Sequence, residues 1–279
     1  MLLGGRVEYY RRLDTRRAIL DFARAGGPGV VREAAFYHNR GETIQRHTGE
    51  DEILILDSHA AIDRALAAGA SAFYCSFWRY AQPKELLHPL GRDLVWTIRA
   101  ENGGLKFAKV TTAAVFEAML DARFYEPWVK YSGELGFDIV IPLESIPGEA
   151  WAGDFKALDE IQCGITGYIA SILSERPNFR VTRESSQVTI REGSNTCLLS
   201  ELRARRGLLL APMSLNPRSG LVSLPIAPDR VESFSVLDAS PADAEQQEWR
   251  TQPNAARELI RHIHSWRSTE IQNESVRAL

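Results

Sequence analysis

GRDLVWTIRAE, residues 91–101, alternates apolar and polar side chains over most of its length. The alternation places three side chains on each face of an extended chain: Leu94, Trp96 and Ile98 on one face, and Asp93, Thr97 and Arg99 on the other. A period of two is typical of a β-strand with one buried face. The glycines at 103 and 104 end the pattern. We therefore predict a half-buried strand that presents Thr97 and Arg99 on its polar face.

The segments on both sides of this strand predict a chain of mixed helices and strands. Helical spacing of apolar residues predicts helices at 8–25, around Ile62 and Leu66 up to Gly69, at 111–124 and at 155–173. Alternating or aromatic-rich runs predict further strands at 30–37, 72–78, 137–141, 179–183 and 187–191. From Ala242 the chain is polar and helical in character. We expect one domain at 1–241 and a helical C-terminal tail at 242–279.

The composition is typical of a globular protein of the cytoplasm. Of the 279 residues, 44% are hydrophobic and 25% are charged. No run approaches the roughly 18 apolar residues that span a bilayer, and the first residues, MLLGGRVEYYRR, lack the apolar core of a signal peptide. The three cysteines are far apart and odd in number, so they predict neither a disulfide framework nor a zinc knuckle. We expect no membrane association and no structural zinc.

The net charge gives no general argument for nucleic-acid binding. It is -3, from 33 basic and 36 acidic residues. Arginines are nevertheless grouped near the start and again near residue 205: Arg6, Arg11, Arg12, Arg16 and Arg17 in the first group, and Arg203, Arg205 and Arg206 in the second. Such groups are equally consistent with solvated surfaces and with a surface that follows phosphates.

Three segments, taken in order, carry a family resemblance. They are residues 91–101, residues 129–142 (VKYSGELGFDIVIP) and residues 211–223 (APMSLNPRSGLVS). They resemble the patterns D-L-V-F-D-I-D-A-E, S-G-x-x-G-x-H and P-x-S-L-H-x-K-[ST]-G-L of the archaeo-eukaryotic DNA primase small-subunit family, which includes the polymerase modules of bacterial end-joining ligases. The order and spacing match over about residues 7–240. The resemblance implies an α/β (α+β) fold with a primase-type two-layer core, a mixed or antiparallel sheet and the helical tail.

The resemblance also implies a catalytic centre that this chain has altered. Family members transfer a nucleotide by in-line displacement, for which two divalent cations about 3.5–4 Å apart stabilise the reacting oxygens. The D-x-D carboxylates hold these cations from one face of a strand. The matching positions here are Thr97 and Arg99, and Glu201 is the candidate for the family's third carboxylate. A guanidinium about 4 Å from a divalent cation is repelled by roughly 8 kcal/mol at an effective dielectric near 20. We expect no bound metal, no cofactor and no catalytic residue.

The phosphate-binding positions implied by the resemblance are partly retained. They are Lys130, Ser132, Gly133, Gly136, Asp138, Ser214, Asn216 and Arg218. Asp138 and Asn216 stand where the family has histidines, and Arg218 stands where it has a lysine. Arginine keeps the charge and adds a fork that binds phosphate through two hydrogen bonds. Because Arg99 and Asp138 are opposite changes of charge at family site positions, we expect them to form an ion pair.

Three functions follow as hypotheses. The first is a non-catalytic homologue in DNA replication or repair that binds DNA, binds a nucleoside triphosphate, or serves as a structural partner of a primase large subunit or another replication protein. The second is an active DNA primase or polymerase, a nucleotidyltransferase that holds Mg or Mn through relocated ligands: Asp93, Glu101, Asp138 and Glu201. The third is a nucleotide-responsive regulator that retains Ser132 and Arg218 but performs no chemistry.

Overall fold

The computed structural model describes residues 3–25, 29–39, 41–49, 52–81 and 88–277. These residues form seven α-helices: α1 (Leu3–Tyr9), α2 (Leu13–Ala23), α3 (His59–Ala67), α4 (Gly104–Asp121), α5 (Gly148–Trp151), α6 (Phe155–Ser174) and α7 (Arg257–Arg277). Three short 3-10 turns lie at Leu143–Ser145, Pro228–Arg230 and Val236–Ala239.

Twelve strands in the described part of the chain form two sheets. The strands are β1 (Val31–His38), β2 (Thr43–Gln45), β3 (Ala70–Tyr80), β4 (Pro89–Arg92), β5 (Leu94–Asn102), β6 (Trp128–Tyr131), β7 (Gly136–Ile141), β8 (Arg180–Glu184), β9 (Gln187–Glu192), β10 (Asn195–Leu202), β11 (Leu208–Leu210) and β12 (Pro225–Ile226). The five-stranded sheet has the order β11-β3-β1-β2, with β4 also paired to β3, and the seven-stranded sheet has the order β12-β6-β7-β5-β10-β9-β8. Every strand pair among the described residues is antiparallel. The predicted α+β class is thereby confirmed.

The strand predicted from residues 91–101 is β5, in the interior of the seven-stranded sheet. Its apolar face is buried, with Leu94 and Trp96 fully covered. Helix α4 packs against β5, and α6 is joined to β5 by side-chain hydrogen bonds. The Trp96 indole Nε1 donates to the Thr166 hydroxyl of α6 at 2.8 Å, which satisfies the one polar atom of a buried ring. The predicted polar face is confirmed at Thr97 and Arg99, which are less buried than their neighbours, whereas Asp93, predicted for the same face, is fully buried just before β5.

Three helices differ from the sequence prediction. Helix α4 begins at Gly104, seven residues before the helix expected at 111–124. The helix expected over residues 8–25 is divided into α1 and α2, because the Tyr10 side chain is buried and its hydroxyl accepts from Leu215 N at 2.9 Å. The tail expected to be helical from Ala242 becomes helical only at Arg257. Before α7 the chain runs over the body of the protein, where the Trp249 ring stacks on the Trp128 ring at 4.8 Å between centroids. These tertiary contacts outweigh the local helical preference.

Strand β10 was not predicted, although it pairs with β5 along its length. Its sequence has three consecutive apolar residues at 197–199, which interrupts the period of two. Burial alternates more weakly along it than along β5 because both of its faces are partly covered. Among the described residues, no helix combines the length and the apolar character that a membrane crossing requires.

A buried ion cluster joins the two sheets at Asp93. This residue lies between β4 of the five-stranded sheet and β5 of the seven-stranded sheet. Its carboxylate contacts Arg32 Nη2 of β1 at 2.6 Å and Arg79 Nη2 of β3 at 2.5 Å, and accepts from Leu143 N at 3.0 Å. Arg79 also pairs with Glu144. Burial alone would raise the pKa of Asp93, but Arg32 and Arg79 outweigh it and hold the pKa below its ordinary value.

We predict that Asp93→Asn destabilises the fold and removes a pH-dependent contribution. Two buried guanidinium groups would lose their counter-charge, which costs about 3–5 kcal/mol for a broken buried pair. The pKa of Asp93 is lower in the folded protein than in the unfolded chain, where it is near 3.9. The ionised carboxylate therefore adds to the free energy of unfolding above the unfolded pKa, and this contribution is lost as the pH falls through the folded pKa. Urea unfolding at pH 7 and at successively lower pH measures the free energy of unfolding of the wild type and the variant. An unchanged difference between wild type and variant across that acid range would contradict the assignment.

Candidate functional site

A cleft of about 680 Å³ opens between the two sheets. The five-stranded sheet contributes Tyr37, Ile44 and Tyr74 among others, and the seven-stranded sheet contributes Arg99 and Asp138. The turn before β7 and the loop after β11 complete the wall with Ser132, Glu134, Asn216, Pro217 and Arg218. Five of the predicted site residues therefore line one cavity: Arg99, Ser132, Asp138, Asn216 and Arg218.

The strand register explains why β5 and β7 supply side chains to the same wall. Thr97 lies opposite Asp138, and Arg99 lies opposite Gly136. Directly opposed residues on an antiparallel pair point to the same face of the sheet. Gly136 allows the strands to approach, because a Cβ on it would lie 1.9 Å from the Ile98 carbonyl oxygen. Gly136, one of two glycines predicted for the site, is therefore needed for β5 and β7 to pair.

The two loops at the mouth of the cleft are bound to each other. The Asn216 Oδ1 accepts from Arg218 N at 2.9 Å and from Ser219 N at 3.2 Å, and its Nδ2 donates to the Ser132 carbonyl at 3.4 Å. Ser219 Oγ donates to the Gly133 carbonyl. Gly133 has φ +82°, and a Cβ there would lie 2.7 Å from the Asn216 Cβ. Asn216 and Gly133 therefore hold the loops in position, and Arg218 projects from them over the cleft.

Glu134 connects the arginines of the two walls. Its carboxylate lies 3.3 Å from Arg99 Nη2 through one oxygen and 3.7 Å from Arg218 Nη1 through the other. The side chains of Arg99 and Arg218 are 65% and 79% exposed, and that of Glu134 is 29% exposed. Glu134 lies within the second motif segment, and no role was predicted for it. Its position between Gly133 and Gly136, in a turn beside predicted phosphate-binding residues, could have indicated a role in the site.

The predicted ion pair between Arg99 and Asp138 is not formed. Asp138 pairs with Lys130, which is fully buried and also donates to Ser223 Oγ at 3.0 Å. Lys130 stands directly opposite Asp138 in the β6–β7 ladder, whereas Arg99 stands opposite Gly136. The register therefore gives the Asp138 carboxylate a nearer cation. Lys130 was predicted as a phosphate ligand, but its ammonium group is already held inside the sheet.

Two further predicted positions face away from the cleft. Ser214 is fully buried, and its hydroxyl accepts from Phe73 N at 2.7 Å and lies 3.2 Å from the Tyr10 hydroxyl. Glu201 lies opposite Trp96 in the β5–β10 ladder and pairs with Arg203, so it is on the helix-covered face. The β10 residue directly opposite Thr97 is Ser200. Ser214 thus supports the scaffold, and Glu201 does not join Thr97 and Arg99.

The residues of this region do not fit a pair of divalent cations. Such a centre needs several carboxylate oxygens directed at one point. The β5 face offers the Thr97 hydroxyl and the Arg99 guanidinium, and the Asp138 carboxylate is neutralised by Lys130. Within the described part of the chain, no three His, Cys, Asp or Glu side chains are grouped as metal ligands.

We predict that the Lys130–Asp138 pair is tightly coupled in stability and that Arg99 is not part of it. Lys130→Met should destabilise by about 3–5 kcal/mol because it leaves a buried carboxylate unpaired, and Lys130→Met with Asp138→Leu should recover much of that loss. Arg99→Ala, the control, should change stability by at most about 1 kcal/mol because its ion pair is exposed. Urea unfolding of the double-mutant cycle measures the coupling. Additive losses for Lys130 and Asp138 would be inconsistent with the pair.

Comparison with solved structures finds a chain with a similar fold. The chain is similar to the polymerase domain of Mycobacterium tuberculosis Ligase D in complex with DNA, with a TM-score of 0.54 and 15% sequence identity, over 91% of this chain and 86% of that chain. A scan against models of protein families found no match, and neither did a search of curated proteins. At this level of identity the similarity concerns the fold. The protein has a primase-polymerase-like fold.

Proposed function

We propose that the protein is a catalytically degenerate member of the archaeo-eukaryotic primase small-subunit family that binds a nucleotide or nucleic acid in DNA replication or repair. The observation that carries this proposal is Arg99, which lines the cleft from the position that matches a metal-binding aspartate of the family. A cation at that position opposes a divalent metal and attracts phosphate. The family assignment rests on the three sequence segments together with the fold.

The cleft retains features that suit a phosphate ligand. Arg99 and Arg218 approach it from different elements with exposed guanidinium groups. The loops that carry Ser132 and Arg218 are held together by Asn216. Guanidinium groups bind phosphate oxygens with two parallel hydrogen bonds, and rigid loops reduce the entropy lost on binding. These features support binding whether or not any chemistry follows.

The alternative of an active enzyme with relocated metal ligands has less support. Asp93 is buried between two arginines, Asp138 is paired with Lys130, and Glu201 is on the opposite face of the sheet. Each of these three carboxylates is already neutralised by a neighbouring cation. To bind metal ions together, these carboxylates would have to leave their buried ion pairs, and breaking each pair would destabilise the protein. The fourth candidate ligand, Glu101, is an exposed residue near the end of β5.

We predict that the purified protein does not make or extend primers in the presence of Mg²⁺ or Mn²⁺. The reason is the substitution of a hydroxyl and a guanidinium for the two carboxylates that hold the metals in the family. Gel analysis of labelled primer–template mixtures measures this, with an active primase-polymerase in the same buffer as the positive control. Template-directed products from this protein would overturn the non-catalytic proposal.

Binding is tested separately from synthesis. Titration of the protein with a nucleoside triphosphate and with single-stranded DNA should show affinity for at least one of them, and Arg218→Ala should weaken it. Binding of triphosphate alone would favour the regulator, and binding of DNA would favour a replication or repair role. Co-purification with a primase large subunit tests the proposed structural partnership. Failure to bind either ligand would contradict the binding role proposed for the cleft.

A further inference from the structure

We propose that Glu134 is an internal anion that occupies a metal-independent polyphosphate site, and that the phosphate chain of a nucleoside triphosphate binds by displacing it. This inference rests on the proposed function and specifies its ligand chemistry. It is carried by the contacts of one carboxylate with two guanidinium groups, Arg99 Nη2 at 3.3 Å and Arg218 Nη1 at 3.7 Å.

The two arginines converge although they come from separate parts of the chain. Arg99 is on β5, Arg218 is on the loop after β11, and Glu134 is in the turn between β6 and β7. Because both guanidinium groups reach one carboxylate, both can reach one anion of similar size at that point. A phosphate group offers more acceptor oxygens than a carboxylate, and each arginine fork can engage two of them.

The charge balance of the cleft explains why the site would not need a metal. Five acidic or basic side chains line it: Glu42, Arg99, Glu134, Asp138 and Arg218. The Asp138 charge is cancelled by Lys130 beneath the surface, so two arginines face two glutamates. When Glu134 turns away, the arginines supply the positive charge that divalent cations supply in a metal-dependent site. A cation added to the phosphate chain would instead compete with them.

The geometry also indicates that Glu134 can move without disturbing the fold. Its ion pairs are exposed, and pairs of this kind contribute little to stability. The loop is held by other contacts, since the Tyr131 hydroxyl donates to the Glu134 carbonyl and Ser132 N donates to the Gly136 carbonyl at 2.9 Å. The carboxylate is therefore a competitor for the arginines, and the backbone beneath it stays in place.

Calorimetric titration with inorganic triphosphate tests the inference, first with EDTA and then with excess Mg²⁺, at low ionic strength. Binding is expected in EDTA and should weaken when Mg²⁺ is added. Arg99→Ala and Arg218→Ala should each reduce the affinity about tenfold, the lower end of the range for hydrogen bonds to charged groups. Glu134→Gln should raise the affinity about two- to fivefold, as expected when an exposed ion pair no longer competes.

Matched controls come from the exposed Glu258–Arg261 pair of α7, whose nitrogen and oxygen atoms are 2.8 Å apart. Glu258→Gln and Arg261→Ala make the same chemical changes away from the cleft and should leave the affinity unchanged. Thermal unfolding of every variant checks that the fold is retained. An equal loss of affinity in Arg261→Ala would show non-specific attraction and overturn the inference.

The outcomes separate this inference from the proposed function. Triphosphate binding that requires Mg²⁺ would overturn the metal-independent site and leave nucleotide binding standing. Weaker or unchanged binding by Glu134→Gln would overturn the role of Glu134. No binding with or without Mg²⁺ would contradict both the inference and the proposed nucleotide binding, and primer synthesis would contradict only the non-catalytic assignment.

Discussion

The Asp93 carboxylate, buried between Arg32 and Arg79, is the interaction on which the arrangement of the two sheets depends. The chain leaves the five-stranded sheet at β4 and enters the seven-stranded sheet at β5, and Asp93 is the residue between them. Its two arginine partners belong to β1 and β3, so a single carboxylate ties both sheets at their crossing. A buried charge is tolerated only when it is paired in this way. The cleft between the sheets has its shape because this crossing is held.

The cleft shows how strand register selects charge partners. Asp138 has a cation directly opposite on β6, and Arg99 has a glycine opposite on β7. Asp138 is consequently neutralised inside the sheet by Lys130, while the Arg99 guanidinium remains exposed and reaches Glu134. The same face of one sheet thus contains a buried pair of structural importance and an exposed cation available to a ligand.

The chemistry of the cleft depends on which charged groups are buried in pairs and which are exposed. A polymerase of this fold needs carboxylates that converge on metal ions. In this chain the acidic groups are dispersed: Asp93 is in the sheet crossing, Asp138 is in the β6–β7 ladder and Glu201 is on the helix-covered face. The groups that do converge are the two guanidinium groups of Arg99 and Arg218 around Glu134. The proposal that the cleft binds phosphate without transferring it rests on this arrangement.

The alternation of apolar and polar residues along 94–99 is a local pattern, and it was sufficient to predict β5 and to place Thr97 and Arg99 on the face opposite Trp96. The three motif segments also identified five of the twelve residues that line the cleft, because these segments lie on adjacent strands and loops. The ion-pair partners of the charged residues could not be predicted in this way, because they depend on the tertiary structure. Lys130 pairs with Asp138, Arg99 pairs with Glu134, and Glu201 turns to the other face. Register between distant strands sets these contacts, and no local pattern of residues encodes it.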